Sequence, residues 1–281
     1  MRRAVALFVE DRDNLILQSH CLHQSWRHIG AKDTDLVFMG PRTALERLPD
    51  DVVKVVQPAA TDNPEWGGYV YVNSIACLAH PSASVLDDYD AVLRTDVDTF
   101  LTPAWNRFRP EGLFSGLGHY CNDDETSANL RRIARAQGLT HRGVTNIGST
   151  LYGPPGLLRD ICRLATELSL YIRTVEFKDH PGKWPGWYGA VATLYATEIA
   201  VNHLDSGFSV PGEHLLDYYS ESADPVDDHP HIHCWHTDQL FSKFVFYDGG
   251  YRDVDEASLD LGVIREYCLA MALRARRSFP G

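Results

Sequence analysis

The sequence contains few lysines: there are five, against 21 arginines, and the formal net charge is -12. Binding to the phosphate backbone of nucleic acids requires clustered basic side chains, so this balance argues against a general nucleic-acid-binding protein. The negative net charge does not exclude a site that binds phosphates through a metal ion. Long apolar runs are also absent, since no segment reaches the roughly 20 apolar residues that span a bilayer. We expect a soluble, cytoplasmic protein with neither a nucleic-acid nor a membrane partner.

Cysteine pairs of the C-x-x-C type are absent as well. The six cysteines are scattered along the chain, which fits reduced, buried thiols better than a disulfide framework or a zinc ribbon. The chain has 281 residues, with no internal repeat and no flexible linker. This organisation predicts a single domain over residues 1–281.

Strands and helices alternate regularly in the first hundred residues. The hydrophobic pattern predicts strands at 3–10, 35–39, 52–56 and 89–93 and helices at 14–28, 43–48 and 69–80. The strand at 52–56 is rich in β-branched residues, as expected for a strand covered on both faces. The less regular second half has predicted strands at 112–118, 146–152, 206–210 and near 241–246, and helices at 127–137, 156–170, 190–202 and 259–276. These patterns predict an α/β fold with helices flanking a mostly parallel central sheet.

Two aspartates follow the predicted strand at 89–93. Side chains alternate between faces in an extended segment, so Asp96 and Asp98 point the same way while Val97 points into the core. Two carboxylates on one side repel each other unless a cation lies beside them, and hard divalent cations commonly bridge carboxylates to substrate phosphates. Ligands of such sheets bind outside the carboxyl ends of the strands, where this pair lies. The pattern favours a metal–diphosphate site over a solvated turn.

Four histidines lie within residues 229–236. In an extended segment His231 and His233 share a face, His236 follows shortly, and imidazole is a common metal ligand. One interpretation makes His233 or His236 a ligand of the metal held by the aspartates. Another makes the histidines a separate transition-metal site, and a third is a solvent-exposed loop. Trp235, within the same segment, is a core or sugar-stacking residue.

A carboxylate and an amide share one face of the predicted helix at 190–202. Glu198 and Asn202 are four residues apart on an otherwise apolar segment. They could position a substrate hydroxyl or act as a base or nucleophile. The same sequence pattern would also be seen if Glu198 were an ordinary glutamate on the protein surface.

Two further segments are candidate sugar-binding elements. In Asn146-Ile-Gly148 the glycine would let a ligand approach the backbone and the asparagine could bond to a hydroxyl; the alternative is an interior strand with a bulge. In Lys183-Trp-Pro-Gly-Trp-Tyr188 the lysine could neutralise a phosphate. The rings of Trp184, Trp187 and Tyr188 could pack on a sugar or close as a lid, or they anchor a structural loop.

These features together resemble the GT-A family of nucleotide-sugar glycosyltransferases. The resemblance is carried by Leu93-Arg-Thr-Asp-Val-Asp98, Asn146-Ile-Gly148, the helix with Glu198 and Asn202, and the late His233 and His236. It implies that Asp96 and Asp98 bind Mn²⁺ or Mg²⁺, which holds the donor diphosphate, and that a late histidine completes the coordination. It also implies that Glu198 lies near the reactive sugar carbon, as in some retaining members. The Asp-Glu or Asp-Gln pair common at that helix is Thr197-Glu198 here, which leaves the base or nucleophile and the stereochemistry open.

The implied function is metal-dependent transfer of a sugar from a UDP- or GDP-linked donor to a hydroxyl of a small-molecule or metabolite acceptor. Residues 1–100 would bind the nucleotide-sugar and residues 101–281 the acceptor. The implied donor-binding residues are Phe8, Val9, Arg94, Asp96, Val97 and Lys183. The implied acceptor- or sugar-binding residues are Asn146, Gly148, Trp184, Trp187, Tyr188 and Trp235. Arg94 would contact ribose or phosphate, or form a structural salt bridge.

Two other functions use the same residues. A hydrolase or oxygenase centred on His231, His233 and His236 would hold a transition metal tightly and need no nucleotide. A sugar- or nucleotide-binding module without turnover is the non-enzymatic alternative. The presence of both aspartates and of Glu198 argues against that module.

Overall fold

A computed structural model describes residues 1–209, 215–234 and 241–279. The strands are β1 (Arg3–Phe8), β2 (Thr34–Gly40), β3 (Val53–Val56), β4 (Ala91–Arg94), β5 (Thr99–Leu101), β6 (Phe114–Leu117), β7 (Ile147–Gly153), β8 (Tyr218–Tyr219) and β9 (His231–His233). Six of them form the main sheet in the order β3-β2-β1-β4-β7-β6. The first four run parallel, and β7 runs antiparallel to both of its neighbours. The predicted mostly parallel α/β sheet is confirmed.

Helices cover both faces of this sheet. They are α1 (Asp13–Ile29), α2 (Arg42–Leu45), α3 (Asn73–Ala79), α4 (Asp124–Ala136), α5 (Pro155–Tyr171), α6 (Ala192–Leu204), α7 (Lys243–Tyr247) and α8 (Ile264–Ser278). Alternate residues of β1 supply the two cores, as the pleat requires. Ala4 and Ala6 pack with α3, α5 and α6, whereas Val5 and Leu7 pack with α1. All six cysteines are free and buried, as predicted.

Three predictions about secondary structure are wrong. β3 is an edge strand whose side chains are half-buried, with Val56 50% exposed, because the short α2 lies over it instead of a long helix. Residues 206–209 form no strand, and residue 210 lies outside the described residues. The aromatic segment predicted as a strand near 241–246 is the helix α7, whose first turn is capped by the Ser242 hydroxyl accepting from the Val245 N–H. The other predicted helices and strands are present with shifted ends.

A second, three-stranded sheet has the order β5-β9-β8. This sheet places residues 231–233 beside the first half of the chain, because β5 pairs antiparallel with β9 and sets Thr99 opposite His233. The Cys234 N–H donates to the Asp98 carbonyl at 2.9 Å and extends this pairing. Among the described residues, no helix has both the length and the apolar character needed to cross a bilayer.

Candidate active site

Asp96 and Asp98 follow the carboxyl end of β4, in the middle of the main sheet. Val97 between them is buried, and the Thr99 hydroxyl donates to the Asp96 carbonyl at 2.9 Å. Both aspartate side chains are partly exposed. Ligand atoms of the two carboxylates lie within 4.8 Å of each other, so the two side chains face one site.

β9 brings His233 to this aspartate pair. Its Nε2 lies 3.3 Å from Asp98 Oδ1, and one ligand atom each from Asp96, Asp98 and His233 lie within 4.8 Å of one another. Carboxylate oxygens suit Mg²⁺ and Mn²⁺, and imidazole suits transition metals. The donor set could therefore hold a divalent cation such as Mn²⁺, and Asp96, Asp98 and His233 are all predicted metal ligands.

Two basic side chains already pair with the aspartates. Arg94 is buried and lies 3.1 Å from Asp96 Oδ1, and it also donates to the Ser74 carbonyl at 2.8 Å. Lys243 Nζ lies 2.5 Å from Asp98 Oδ2. Burial opposes ionisation of Asp98, but the charges of His233 and Lys243 outweigh it and hold the pKa of Asp98 well below its usual range. Lys243 is not among the predicted site residues, and its one distinguishing feature in the sequence is that no other lysine follows residue 183.

Asp217 is a buried carboxylate that the sequence analysis also missed. Its Oδ1 lies 3.1 Å from His233 Nδ1, and its Oδ2 accepts from the Thr150 N–H at 3.0 Å. Burial raises the pKa of Asp217, but the bond from His233 and its charge outweigh burial and lower it to about 2. Asp217 is the single acidic residue in the apolar segment 215–219. A charged residue in such a segment is rarely buried without a partner, so the segment itself indicated a paired carboxylate.

His231 lies beneath the site and is fully buried. Burial lowers the pKa of His231 to about 4. Its Nδ1 accepts from the Asp217 N–H at 3.1 Å, and its Nε2 lies 2.9 Å from the Thr95 hydroxyl. Because both ring nitrogens are bonded within the protein, His231 has no nitrogen left for a metal.

A cleft of about 280 Å³ opens beside the aspartate–histidine cluster. His233, Asp217 and Lys243 line it on the side of the cluster. Its other walls include Leu117, Gly118, His119, Tyr120, Ser149, Trp184 and Leu194. The candidate metal ligand His233 therefore borders a space that can hold a small molecule.

Comparisons with known proteins identify a family and a fold for this chain. Residues 8–277 match a protein family described as a domain of unknown function, DUF7164. The chain belongs to this family. A comparison with curated proteins finds no match. Among solved structures, the DUF7164 chain is similar in fold to LgtC, a galactosyltransferase solved in complex with donor and acceptor sugar analogs.

The likeness to LgtC establishes the fold. The sequences are 12% identical, and the TM-score is 0.50 with 98% of this chain and 96% of the LgtC chain covered. The DUF7164 chain therefore has the GT-A fold, as its sequence predicted.

Glu198 and Asn202 are both buried in the DUF7164 chain. Glu198 accepts hydrogen bonds from the Tyr120 hydroxyl at 2.8 Å and from the Asn146 N–H at 2.7 Å, and His141 Nε2 lies 3.1 Å away. The Asn202 side-chain oxygen accepts from the N–H groups of residues 142 and 144, and its amide donates to two carbonyls. These bonds satisfy both side chains within the fold, and the role of either as a base or nucleophile stays a prediction.

The predicted ligand contacts of Asn146 and Gly148 are taken by the protein itself. Asn146 has a left-handed backbone (φ 59°), and its side-chain oxygen accepts from the N–H groups of Tyr120 and Cys121. A Cβ at Gly148 would lie 2.7 Å from Asp217 Oδ2. The glycine does make room for a close approach, but the groups that approach are the backbone of Gly116, whose carbonyl carbon would lie at 2.4 Å, and the carboxylate of Asp217.

The aromatic residues of the loop 181–189 divide into two groups. Trp187 stacks between Phe177 and Tyr195, with ring centroids 4.8 and 4.6 Å away, and the Tyr188 N–H donates to the Tyr195 hydroxyl. Trp184 is 48% exposed and borders the cleft. Trp187 and Tyr188 therefore anchor the loop, and Trp184 is the one of the three that borders the cleft.

The remaining predicted site residues have different outcomes. The side chains of Phe8, Val9 and Val97 are buried in the core, so they can offer a donor only backbone groups. Lys183 is exposed in the loop 181–189. His236 and Trp235 lie outside the described residues.

Proposed function

We propose that the protein is a glycosyltransferase that moves a sugar from a nucleoside-diphosphate sugar to a hydroxyl of a small-molecule or metabolite acceptor. The observation that carries the proposal is the meeting of Asp96, Asp98 and His233 beside a cleft, next to the strand ends of a GT-A fold. LgtC, whose structure contains donor and acceptor sugar analogs, also supports sugar transfer. A cytoplasmic location stays a prediction.

On the donor side, Asp96, Asp98 and His233 would hold Mn²⁺ or Mg²⁺. A bound divalent cation supplies positive charge to the diphosphate as the glycosidic bond breaks, which favours the transition state. Lys243 lines the same cleft, and its ammonium can exchange Asp98 for a phosphate oxygen. Arg94 is buried against Asp96, which favours the structural salt bridge over contact with ribose. UDP or GDP is the proposed leaving group.

On the acceptor side, the cleft favours a small molecule over a polymer. Its volume of about 280 Å³ lies near the lower end of the volumes of small-molecule sites, about 300–1,000 Å³. The exposed ring of Trp184 offers a face on which a sugar or another flat group can pack. His119 supplies a polar group at the same cleft.

Glu198 and Asn202 have an indirect role in this proposal. Through Tyr120 and Asn146, Glu198 holds the segment 118–122, part of which forms a wall of the cleft. Asn202 fixes residues 142–144, the turn that carries His141 to Glu198. The base or nucleophile, and with it retention or inversion, stays open.

The alternative of a hydrolase or oxygenase centred on the histidines is not favoured. Of its three residues, His231 has both ring nitrogens bonded within the protein. His236 lies outside the described residues. Of the three histidines, His233 is therefore the one described residue that can bind a metal. The two residues grouped with it are Asp96 and Asp98.

A thermal-shift screen tests the proposal. Purified protein is heated with UDP-, GDP- or dTDP-sugars, each in Mn²⁺ and in EDTA. A ligand at 100 times its Kd stabilises the folded state by about 2.7 kcal/mol. We expect one nucleotide family to raise the Tm in Mn²⁺, and we expect EDTA or the Asp98→Asn variant to abolish the shift. Asp160→Asn, an exposed carboxylate on α5, is the matched control. No shift with any nucleotide would refute the proposal.

A further inference from the structure

The carboxylate of Asp217 occupies a space formed by two adjacent strands. A Cβ on Gly116 of β6, or on Gly148 of β7, would collide with Asp217 Oδ2. The backbone of Asp217 is left-handed (φ 59°), a conformation that aspartate adopts more readily than most residues. Two glycines and an uncommon backbone conformation thus combine to bring one carboxylate beside His233.

The hydrogen-bond donors around Asp217 determine where each proton lies. The Asp217 N–H donates to His231 Nδ1, so that nitrogen bears no proton and His231 donates from Nε2 to the Thr95 hydroxyl. A hydroxyl has a single proton. Thr95 therefore donates to the Thr150 hydroxyl 3.1 Å away, and Thr150 donates to Asp217 Oδ1 at 2.5 Å. The hydrogen bonds of His231, Thr95 and Thr150 therefore run in one direction, and the Asp217 carboxylate is the final acceptor.

The Asp217 carboxylate also determines where the ring proton of His233 lies. Its Nδ1 lies 3.1 Å from Asp217 Oδ1, so an anionic acceptor holds the ring proton on this nitrogen. When a cation held by Asp96 and Asp98 displaces the proton from Nε2, the His233 ring becomes neutral, with its remaining proton on Nδ1 and its lone pair on Nε2. Nε2 is the nitrogen that faces Asp98, at 3.3 Å from Oδ1.

We propose that Asp217 is a positioning residue for the metal ligand His233. It selects the ring form with the proton on Nδ1, fixes the orientation of the ring and directs Nε2 to the cation held by Asp96 and Asp98. A carboxylate that accepts from the second nitrogen of a metal-bound histidine typically contributes about 10–100-fold in metal affinity. The inference rests on the proposed metal-dependent function, because it requires a cation at this site.

Titration of the nucleotide-free protein with Mn²⁺, followed by the EPR signal of free Mn²⁺, tests this role. We expect Asp217→Asn to bind Mn²⁺ about 10–100-fold more weakly than the wild type, because an amide cannot accept from all of these donors. Asp33→Asn is the matched control: this carboxylate is partly buried and paired, but its partners are Arg3 and Arg109. We expect Asp33→Asn to keep the wild-type Mn²⁺ affinity.

A second measurement does not depend on the folding of a variant. Nitrogen NMR of the histidine rings in the wild-type protein with Mg²⁺ reports which ring nitrogen carries the proton, and the His233→Gln spectrum identifies the resonance. We expect the proton of His233 on Nδ1. A proton on Nε2 would overturn the inference.

The outcomes separate this inference from the proposed function. Wild-type protein that binds no Mn²⁺ would overturn both. If Asp98→Asn abolishes Mn²⁺ binding and Asp217→Asn leaves it unchanged, the metal site stands and the role of Asp217 is refuted.

Discussion

The Lys243 ammonium lies 2.5 Å from Asp98 Oδ2, although the two residues are 145 positions apart in the sequence. A second bond, from Nζ to the Cys234 carbonyl at 2.8 Å, holds the lysine in this place. Lys243 is thus the counter-ion of a proposed metal ligand. A divalent cation that binds Asp98 competes with this ammonium, and the phosphates of a donor would offer the ammonium another partner.

Replacement of Lys243 by methionine removes the charge and keeps an apolar stem. We expect Lys243→Met to bind Mn²⁺ alone more tightly, because Asp98 loses a competing cation, and to bind UDP or GDP more weakly. A hydrogen bond to a charged group contributes about 1.5–3 kcal/mol, which corresponds to roughly 10–100-fold in Kd. Isothermal titration calorimetry measures both affinities. Lys178→Met, at an exposed position, is the control, and an unchanged nucleotide affinity in Lys243→Met would contradict this role.

Glu198→Gln distinguishes a structural role from a catalytic one. Glutamine replaces one carboxylate oxygen, which accepts hydrogen bonds, by an amide group, which donates them. The surrounding groups of Tyr120, His141 and Asn146 would then leave that amide without an acceptor. Leaving a buried polar group unsatisfied costs about 1–3 kcal/mol, so we expect the free energy of unfolding in urea to fall by that amount. Glu167→Gln, exposed on α5, should change stability by at most about 0.5 kcal/mol. Unchanged stability of Glu198→Gln with complete loss of transfer would instead identify a catalytic carboxylate.

Trp184 and Trp187 lie in the same loop but should respond differently to truncation. Trp187→Ala removes a ring stacked between two others, and we expect a loss of about 3–5 kcal/mol in stability. Trp184→Ala should leave stability nearly unchanged and weaken acceptor binding, since one ring contact is worth about 0.5–1.5 kcal/mol. The KM for acceptor and the urea midpoint measure the two effects. A strongly destabilised Trp184→Ala would show that this ring belongs to the core.

Stability should decrease in mild acid because of buried histidines such as His20. Burial lowers the pKa of His20, and its bond to the Arg47 carbonyl only partly offsets this effect. Between the folded pKa and about 6.5 the unfolded chain binds more protons than the folded protein, so the free energy of unfolding falls as the pH falls. One such group contributes at most about 1.4 kcal/mol per pH unit.

The His20→Gln variant tests this pH dependence, because an amide can still donate to the Arg47 carbonyl but does not titrate. We expect its stability, from urea unfolding at several pH values, to fall less steeply below about pH 6.5 than that of the wild type. Parallel curves for the two proteins would show that His20 does not contribute.

Local patterns in the sequence identified much of the fold and part of the site. The alternation of strands and helices predicted the parallel sheet, and Asp96 and Asp98 could be paired because they lie two residues apart on one segment. His233 was found because histidines cluster around it. Each of these signals is contained within a short stretch of chain.

The residues that were missed reach the site only through tertiary contacts. Asp217 meets His233 because Gly116 and Gly148 leave space between two strands, and no pattern near residue 217 encodes that space. Lys243 begins a helix that was predicted as a strand, because its aromatic and β-branched residues favour strands while the Ser242 cap favours a helix. The hydrogen bonds of Glu198 could not be predicted either, because its partners, Tyr120, His141 and Asn146, are distant in sequence.

Calorimetric titration of UDP and GDP into the wild-type protein and into Asp98→Asn, each with Mn²⁺ and with EDTA, tests the metal–diphosphate site most directly. We expect one of these nucleotides to bind the wild-type protein in Mn²⁺, and we expect binding to be lost both in EDTA and in the variant. Nucleotide binding that persists in EDTA and in Asp98→Asn would contradict a metal–diphosphate site at Asp96, Asp98 and His233.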